Sequence, residues 1–174
     1  MTLRKILIEP DPVLRQISKP VIQVGDKERK IMDDMLETMY KANGIGLAAI
    51  QIGIPKRIIV IDISKKEEKK NPIYFVNPVI KNKKKELLTY EEGCLSVPNQ
   101  FAEIDRPIEC EVEYLDYNNK KKNSKFSGLL ATCIQHEMDH LEGILFIDYL
   151  SKLKKTMIIK KLSKQKDKVD RIVV

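Results

Sequence analysis

SGLLATCIQHEMDHLEG, residues 127–143, holds the only two histidines of the chain, His136 and His140, and its reading decides how the rest is arranged. Ser127 and Gly128 at its front and Gly143 behind it are start and left-handed stop signals, so a helix is expected between them. Leu129, Leu130, Cys133, Ile134, Met138 and Leu141 cover most of its circumference, leaving polar groups mainly at Gln135 and Asp139, which predicts a buried helix. Histidines at i and i+4 share one face, so both imidazoles can reach one metal ion, with Glu137 beside them as a candidate base. Inside an apolar helix such a pair must be hydrogen-bonded or metal-bound to offset its desolvation, and the same shielding strengthens electrostatic catalysis. HExxH is a metal-dependent hydrolase pattern; the bland reading is two unrelated histidines on a buried helix.

A third ligand has to come from elsewhere. HEMDHLEG begins the long HExxHxxGxxH pattern, but its last position is Phe146, and no glutamate follows Glu142. Cysteine, aspartate or glutamate must therefore complete the site. Cys133 shares the histidine face but lies seven residues before His140, a rise of roughly 10 Å, too far for one metal to join both to His136. It reads as wall. Cys110 sits in residues 108–115, where Ile108, Cys110, Val112 and Tyr114 alternate with Glu109, Glu111 and Glu113 as in a strand with one buried face. It reads as core. Cys94, in EEGCLSVP between Gly93 and Pro98, sits where the backbone can come close to a ligand and present a thiolate, which makes it the best third ligand. Cys94, His136 and His140 leave one open position on a tetrahedral metal, the catalytic arrangement, and Glu137 is placed to move the proton of a bound water.

The remaining chain reads as a mixed α+β domain. Asp11 and Pro12 cap and open a short helix, and Ile31, Met32, Met35, Leu36, Met39 and Tyr40 form an amphipathic helix ending near Asn43 and Gly44. GIGLAAIQIG is too glycine-rich and too short for a good helix or strand, and predicts a close-packed loop from which the Gln51 amide projects. Strands are expected over residues 57–63, 73–80, 84–90, 100–104, 108–117 and 121–126, several of them separated by turn signals such as NKKK and NNKK. The expected fold is α+β: mainly antiparallel strands around a central buried helix carrying HEMDH, plus a C-terminal helix. In that last helix Leu150, Leu153, Met157, Ile158 and Leu162 can lie against the body while its lysines stay in water.

The chain has 174 residues, enough for one domain with a sizeable core. Residues 1–150 are expected to form the catalytic part, and 151–174 a basic helix and tail of the same domain. Of 32 Lys and Arg and 25 Asp and Glu, residues 151–174 hold nine and two, so the body is neutral and the tail carries the net +7. A basic helix can meet RNA or another polyanion; a solvated lysine-rich face is the other reading. No apolar run approaches a membrane span, nothing resembles a signal peptide, and three scattered cysteines make no disulfide framework. A cytoplasmic location is expected, with neither membrane nor DNA as a partner.

EGCLS at 92–96, QHEMDHLEG at 135–143 and GIGLAAIQ at 44–51 resemble the three signature motifs of the peptide deformylases, in the expected order and spacing. DPVLR at 11–15, RIIVID at 57–62 and the basic C-terminal helix, similar to one branch of bacterial deformylases, extend the likeness over nearly the whole chain. The resemblance implies hydrolysis of the N-formyl group from formyl-methionyl nascent chains, giving formate and a free amino terminus. It implies ferrous iron as the native metal, replaceable by nickel, cobalt or zinc. It also implies that the Gln51 amide and the Leu95 backbone N–H stabilise the oxyanion and that Gly46 approaches the substrate backbone. The methionine side chain would then enter an apolar pocket with Ile45, Leu129 and Cys133 among its walls. Glu92 and Arg106 either hold the cysteine loop or form an ordinary surface pair. Ile50 and Phe101 depart from the common pattern, and bear on peptide preference beyond methionine rather than on the reaction. Two other readings are a metallopeptidase cleaving internal bonds, which lacks its downstream ligand, and an RNA-binding or ribosome-associated protein with a structural metal, for which the basic tail speaks.

Overall fold

The 127–143 stretch forms helix α2 (Gly128–Leu141), preceded by an extended Ser127 and followed by Gly143 at φ 71°. The computed structural model describes residues 2–65 and 67–171. Before α2 come a 3-10 turn (Pro12–Arg15), α1 (Asp26–Lys41), β1 (Gly46–Ala48), a second 3-10 turn (Ala49–Ile52), β2 (Ile58–Ile61), β3 (Ile73–Lys83), β4 (Leu87–Cys94), β5 (Val97–Pro107), β6 (Glu109–Leu115) and β7 (Lys121–Ser127). A third 3-10 turn (Phe146–Tyr149) and α3 (Lys152–Arg171) follow it. One sheet has the order β1-β2-β3-β6-β7 and β4-β5 stand apart as a hairpin, with every strand pair antiparallel.

Strand β2 shows why the two helices sit where they do. Its residues are apolar throughout and fully buried, as expected of a strand covered on both faces. Ile58 and Val60 join Met32, Met35 and Met39 of α1 in one cluster, whereas Ile59 and Ile61 join Phe75, Val112 and the α2 residues Ala131, Cys133 and Ile134 in another. The period-two alternation of the strand thus assigns α1 to one face of the sheet and α2 to the other. Burying each of the three methionines contributes about 1.5–3 kcal/mol. A third cluster joins Val97, Ala102 and Ile104 of the hairpin to Leu145, Phe146 and Ile147, and to Ile158 and Leu162 of α3. Helix α2 touches β1, β2, β6 and β7 of the sheet and β4 and β5 of the hairpin, so it is the central element.

Several expectations need correction. GIGLAAIQIG is not a loop: Gly46–Ala48 pair with β2 as a short buried edge strand, and a 3-10 turn follows. Pairing with a distant strand supplies what the local sequence lacks. Gln135 is not on a polar face; it is buried, and its side-chain amide donates to the Pro107 carbonyl at 2.9 Å and to the Ala131 carbonyl at 3.0 Å. Of the residues expected to dock the last helix, Leu150, Ile158 and Leu162 do so, joined by Ile159, whereas Leu153 and Met157 point into water. The cysteine loop is mostly strand, with β4 running to Cys94 and β5 starting at Val97. No described helix is long and apolar enough to cross a membrane. The basic tail from residue 165 onward lies outside the described side chains, and residues 172–174 lie outside the described residues altogether.

Candidate active site

Two elements deliver the polar centre. Helix α2 brings His136 and His140 to one face, and the hairpin brings Cys94. The hairpin register breaks between Gly93, opposite Phe101, and Cys94, opposite Val97, and such a break re-aims a side chain out of the regular pleat. The ligand atoms of Cys94, His136 and His140 all lie within 4.8 Å of one another, and the Cys94 Sγ is 3.3 Å from the His140 Nε2. His136 Nδ1 donates to Glu92 Oε2 at 2.8 Å, which leaves Nε2 free for the centre.

The Glu92 carboxylate is buried and also accepts two hydrogen bonds from Arg106, whose third contact is Asp139 Oδ2 at 2.8 Å. Tyr149 donates to the same Asp139 oxygen at 2.8 Å. Of the two readings of Glu92 and Arg106, the surface pair is ruled out; this is an interior network behind a histidine. Burial opposes charge on Glu92, but the His136 and Arg106 hydrogen bonds hold its pKa below the usual value. Removing one partner from such a pair leaves an uncompensated buried charge, so the network orients His136 firmly.

Gln51 is buried and locked at both ends. Its Oε1 accepts from the Ala48 N–H at 2.8 Å, and its Nε2 donates to Ser96 Oγ at 3.1 Å and lies 3.5 Å from the Cys94 sulfur. Glu137 is buried directly beneath β1. A Cβ on Gly46 would stand 2.4 Å from Glu137 Oε1 and 2.9 Å from Cys133 Sγ, so only glycine lets the strand cross this carboxylate without pushing it aside. Glu137 Oε2 has no partner among the described residues. Burial above all, aided by the Glu92 charge and opposed by His136, pushes the Glu137 carboxyl up to about 7. Burial also works against charge on His136, yet its hydrogen bonds to Cys94 and Glu92 hold its pKa well above the usual imidazole value. Burial, and then the His136 charge, put His140 well below it.

The residues fit a metal ion. One thiol and two imidazoles form a donor set suited to zinc, iron, nickel or cobalt, three ligands leave a coordination position open, and the orphaned Glu137 oxygen needs a proton-bearing partner beside that position.

The centre opens into a cleft of about 480 Å³. Ile45, Gly46, Gln51, Leu95, Leu129 and Cys133 all line it, as do Cys94, His136 and Glu137. His140 lies behind the wall, 1% exposed, with its Nδ1 unpartnered. Cys133 sits with its sulfur 3.9 Å from the Ile45 carbonyl, and Cys110 is in the sheet core. Sequence reasoning missed three contributors. Thr132 lines the cleft one turn before His136, a spacing that could have found it. Asp139, read as a polar helix position, closes the Arg106 network, and Ser96 anchors Gln51. Nothing local marks either partnership.

Comparison with known proteins agrees with this geometry. A profile of the polypeptide deformylase family matches residues 3–156. The peptide deformylase of Pelagibacter ubique (strain HTCC1062) is 74% identical over 174 residues, the whole of both chains, and that of Rhizobium meliloti (strain 1021) is 54% identical over 164 residues, 94% of each. Among solved structures, peptide deformylase from Ehrlichia chaffeensis in complex with actinonin superposes with a TM-score of 0.91 at 42% identity, covering 95% of this chain and 98% of that one. A Met-Ala-Ser bound peptide deformylase from Acinetobacter baumannii gives 0.80 at 32% identity, covering 84% and 98%. With likeness that runs the length of the fold, and with a thiol and two imidazoles gathered around an open cleft, this chain belongs to the peptide deformylase family of hydrolases.

Proposed function

We propose that this protein removes the N-formyl group from the formyl-methionine end of newly made chains, with one divalent ion, Fe²⁺, held by Cys94, His136 and His140. Ni²⁺, Co²⁺ or Zn²⁺ can take its place, since one thiolate and two imidazoles suit all four. The observation that carries the proposal is the meeting of this donor trio with a buried, unpartnered Glu137 carboxyl at the floor of a peptide-sized cleft. A bound divalent ion supplies Lewis acidity, lowering the pKa of water and polarising the formyl carbonyl.

Glu137 takes a proton from the attacking water as its oxygen bonds to the formyl carbon, and gives that proton to the amine nitrogen as the C–N bond breaks. Formate and a free amino terminus leave. A buried carboxyl beside the donor trio is placed for both halves of this transfer. The Gln51 Nε2 and the Leu95 backbone N–H stabilise the developing oxyanion. Because the Ala48 and Ser96 contacts already hold the Gln51 amide, little reorganisation is needed at the moment of reaction. Gly46 admits the substrate backbone beside Glu137, and the methionine side chain lies among Ile45, Leu129 and Cys133. The Met-Ala-Ser bound relative supports a peptide as the occupant.

Product analysis tests the reading. Formyl-Met-Ala-Ser, given to metal-loaded protein purified without oxygen, is expected to yield formate and intact Met-Ala-Ser. Internal cleavage of that peptide or of its unformylated counterpart would instead establish a peptidase.

A cytoplasmic location fits this substrate class, and the lysines that α3 exposes, Lys152, Lys154, Lys160, Lys161 and Lys164, support a contact with ribosomal RNA. Truncation at Ser151 is expected to weaken salt-sensitive co-sedimentation with ribosomes; unchanged co-sedimentation would refute that contact.

A further inference from the structure

The segment before the first 3-10 turn reaches both sides of the centre from outside the cleft. The backbone N–H of Leu7 donates to the Gln51 carbonyl at 2.8 Å, and that of Glu9 donates to the Ser96 carbonyl at 2.9 Å. Gln51 lies in the 3-10 turn Ala49–Ile52, whose end leaves carbonyls without partners of its own, and Ser96 lies in the turn between β4 and β5. The two residues stand 45 apart in the chain and are joined a second time by the 3.1 Å hydrogen bond from Gln51 Nε2 to Ser96 Oγ. Leu7, Glu9, Ser96 and Gln51 thus close a ring. Because a ring cannot shear without breaking one of its bonds, the separation between the 3-10 turn and the cysteine loop is fixed.

A single ion pair holds the outer edge of this ring. The Glu9 side chain, in a residue only 5% exposed, accepts from Arg15 Nη2 at 3.0 Å. Arg15 Nη1 donates to the carbonyl of Gly143, just past the end of α2, at 3.3 Å, and to Asp148 Oδ2 at 2.5 Å. Glu9 Oε2 has no partner among the described residues. A buried carboxylate with one oxygen unpaired is a poor source of stability, since an apolar side chain would fill the place without the desolvation cost. Its effect is geometric: it ties residue 9, and through its N–H Ser96, to the end of the helix that carries His136 and His140.

We propose that Glu9 and Arg15 are positioning residues for the oxyanion donors, holding Gln51 Nε2 and the Leu95 N–H at a set distance from the histidine helix. The assignment rests on the deformylase reading and deepens it. Leu95 directly precedes Ser96, every polar group of which is engaged: its N–H donates to Cys94 Sγ at 3.4 Å, its Oγ accepts from Gln51 and its carbonyl from Glu9. Oxyanion donors act through placement, and a displacement of about 1 Å can cost roughly 100-fold. Loosening one edge of the ring while its other bonds remain is expected to cost about tenfold in kcat. KM should hardly move, because neither Glu9 nor Arg15 is among the residues lining the cleft.

The experiment measures kcat and KM for formyl-Met-Ala-Ser with metal-loaded wild type, Glu9→Ala, Glu9→Gln and Arg15→Gln, each alone and combined with Gln51→Ala. Glu9→Ala and Arg15→Gln are expected to lower kcat about tenfold with KM within about twofold, at unchanged metal content. Glu9→Gln, whose amide oxygen can still accept from Arg15, is expected to recover most of the loss. On Gln51→Ala, itself lowered about 10²–10³-fold, the same changes should cost less than about threefold, because residues that act through one group are not additive. Hydrogen exchange of the amides at positions 7 and 9 should quicken in Glu9→Ala while α2 keeps its protection. Glu28→Ala, which breaks a 2.9 Å ion pair to Lys56 away from the cleft, should leave kcat as it is. Should Glu9→Ala fail to fold, Arg15→Gln decides, since it alters the more exposed end of the pair. A kcat within about twofold of wild type, or a fall by the same factor with and without Gln51, would overturn the assignment and leave the deformylase reading in place. No formate from wild type would overturn that reading, and the assignment with it.

Discussion

Replacing Cys94 by alanine is expected to empty the metal site while the fold survives. The Cys94 side chain is only half-buried, making polar contacts to Gln51, Ser96 and His140 and packing at the margin of the third cluster, so losing its one sulfur atom opens no large cavity in that core. Two imidazoles at i and i+4 remain, one of them still held by Glu92, but they can offer the ion only a pair of neutral ligands. Removing an outer partner of a ligand typically costs about 10–100-fold in metal affinity, and removing a ligand outright is expected to cost more. Metal per protein after dialysis should therefore fall to a trace, with deformylation below detection and an unchanged circular dichroism spectrum. Cys133→Ala should keep its metal, because Cys133 lines the cleft outside the donor trio. Neither of the other two thiols joins the donor trio, Cys110 lying in the sheet core and Cys133 in the cleft wall. Full metal and full activity in Cys94→Ala would overturn the ligand set.

Glu137→Gln is expected to do the converse, keeping the metal and losing turnover. The substitution preserves shape at a buried position but removes the carboxyl placed at the cleft floor to accept and return a proton. General acid–base catalysis commonly contributes about 10²–10⁴-fold, and kcat is expected to fall within that range while KM changes little. Gly46→Ala should reach the same carboxylate from the opposite side, because its Cβ would collide with Glu137 Oε1 and with Cys133 Sγ. Displacing a reacting group by about 1 Å can cost roughly 100-fold, so this variant should also lose kcat at unchanged metal content. Metal analysis beside single-turnover kinetics separates these two variants from Cys94→Ala. A Glu137→Gln enzyme within tenfold of wild type would mean that another group carries the proton.

Much of the molecule can be read from residue order alone. Histidines four apart on an apolar stretch, methionines spaced to one helical stripe, and strands alternating Cys110, Val112 and Tyr114 with glutamates are local patterns. Each is encoded within about two turns or one strand, because backbone periodicity alone decides which side chains share a face. Elimination among three cysteines also needed nothing beyond spacing, and it nominated the one thiol that the structure brings to the histidines.

Other features depended on contacts between distant parts of the chain. Gly46–Ala48 become a strand only because β2 offers them a partner, and the IIVI run of β2 does not say which of its faces meets α1 and which α2. Gln135 is polar and internal because the Pro107 carbonyl waits for it, and Glu92 and Arg106 are interior because α2 covers the hairpin. On α3, Leu153 and Met157 lie outside because the body receives the helix along Ile158 and Leu162, a phase that an all-round scatter of apolar residues leaves open. Residue order thus determined the elements and the chemical types at the centre, whereas tertiary packing decided their aim. Periodicity is a property of neighbours along the chain, but the approach of Cys94 to His140, 46 residues apart, depends on the break in the hairpin and on the helix packed across it.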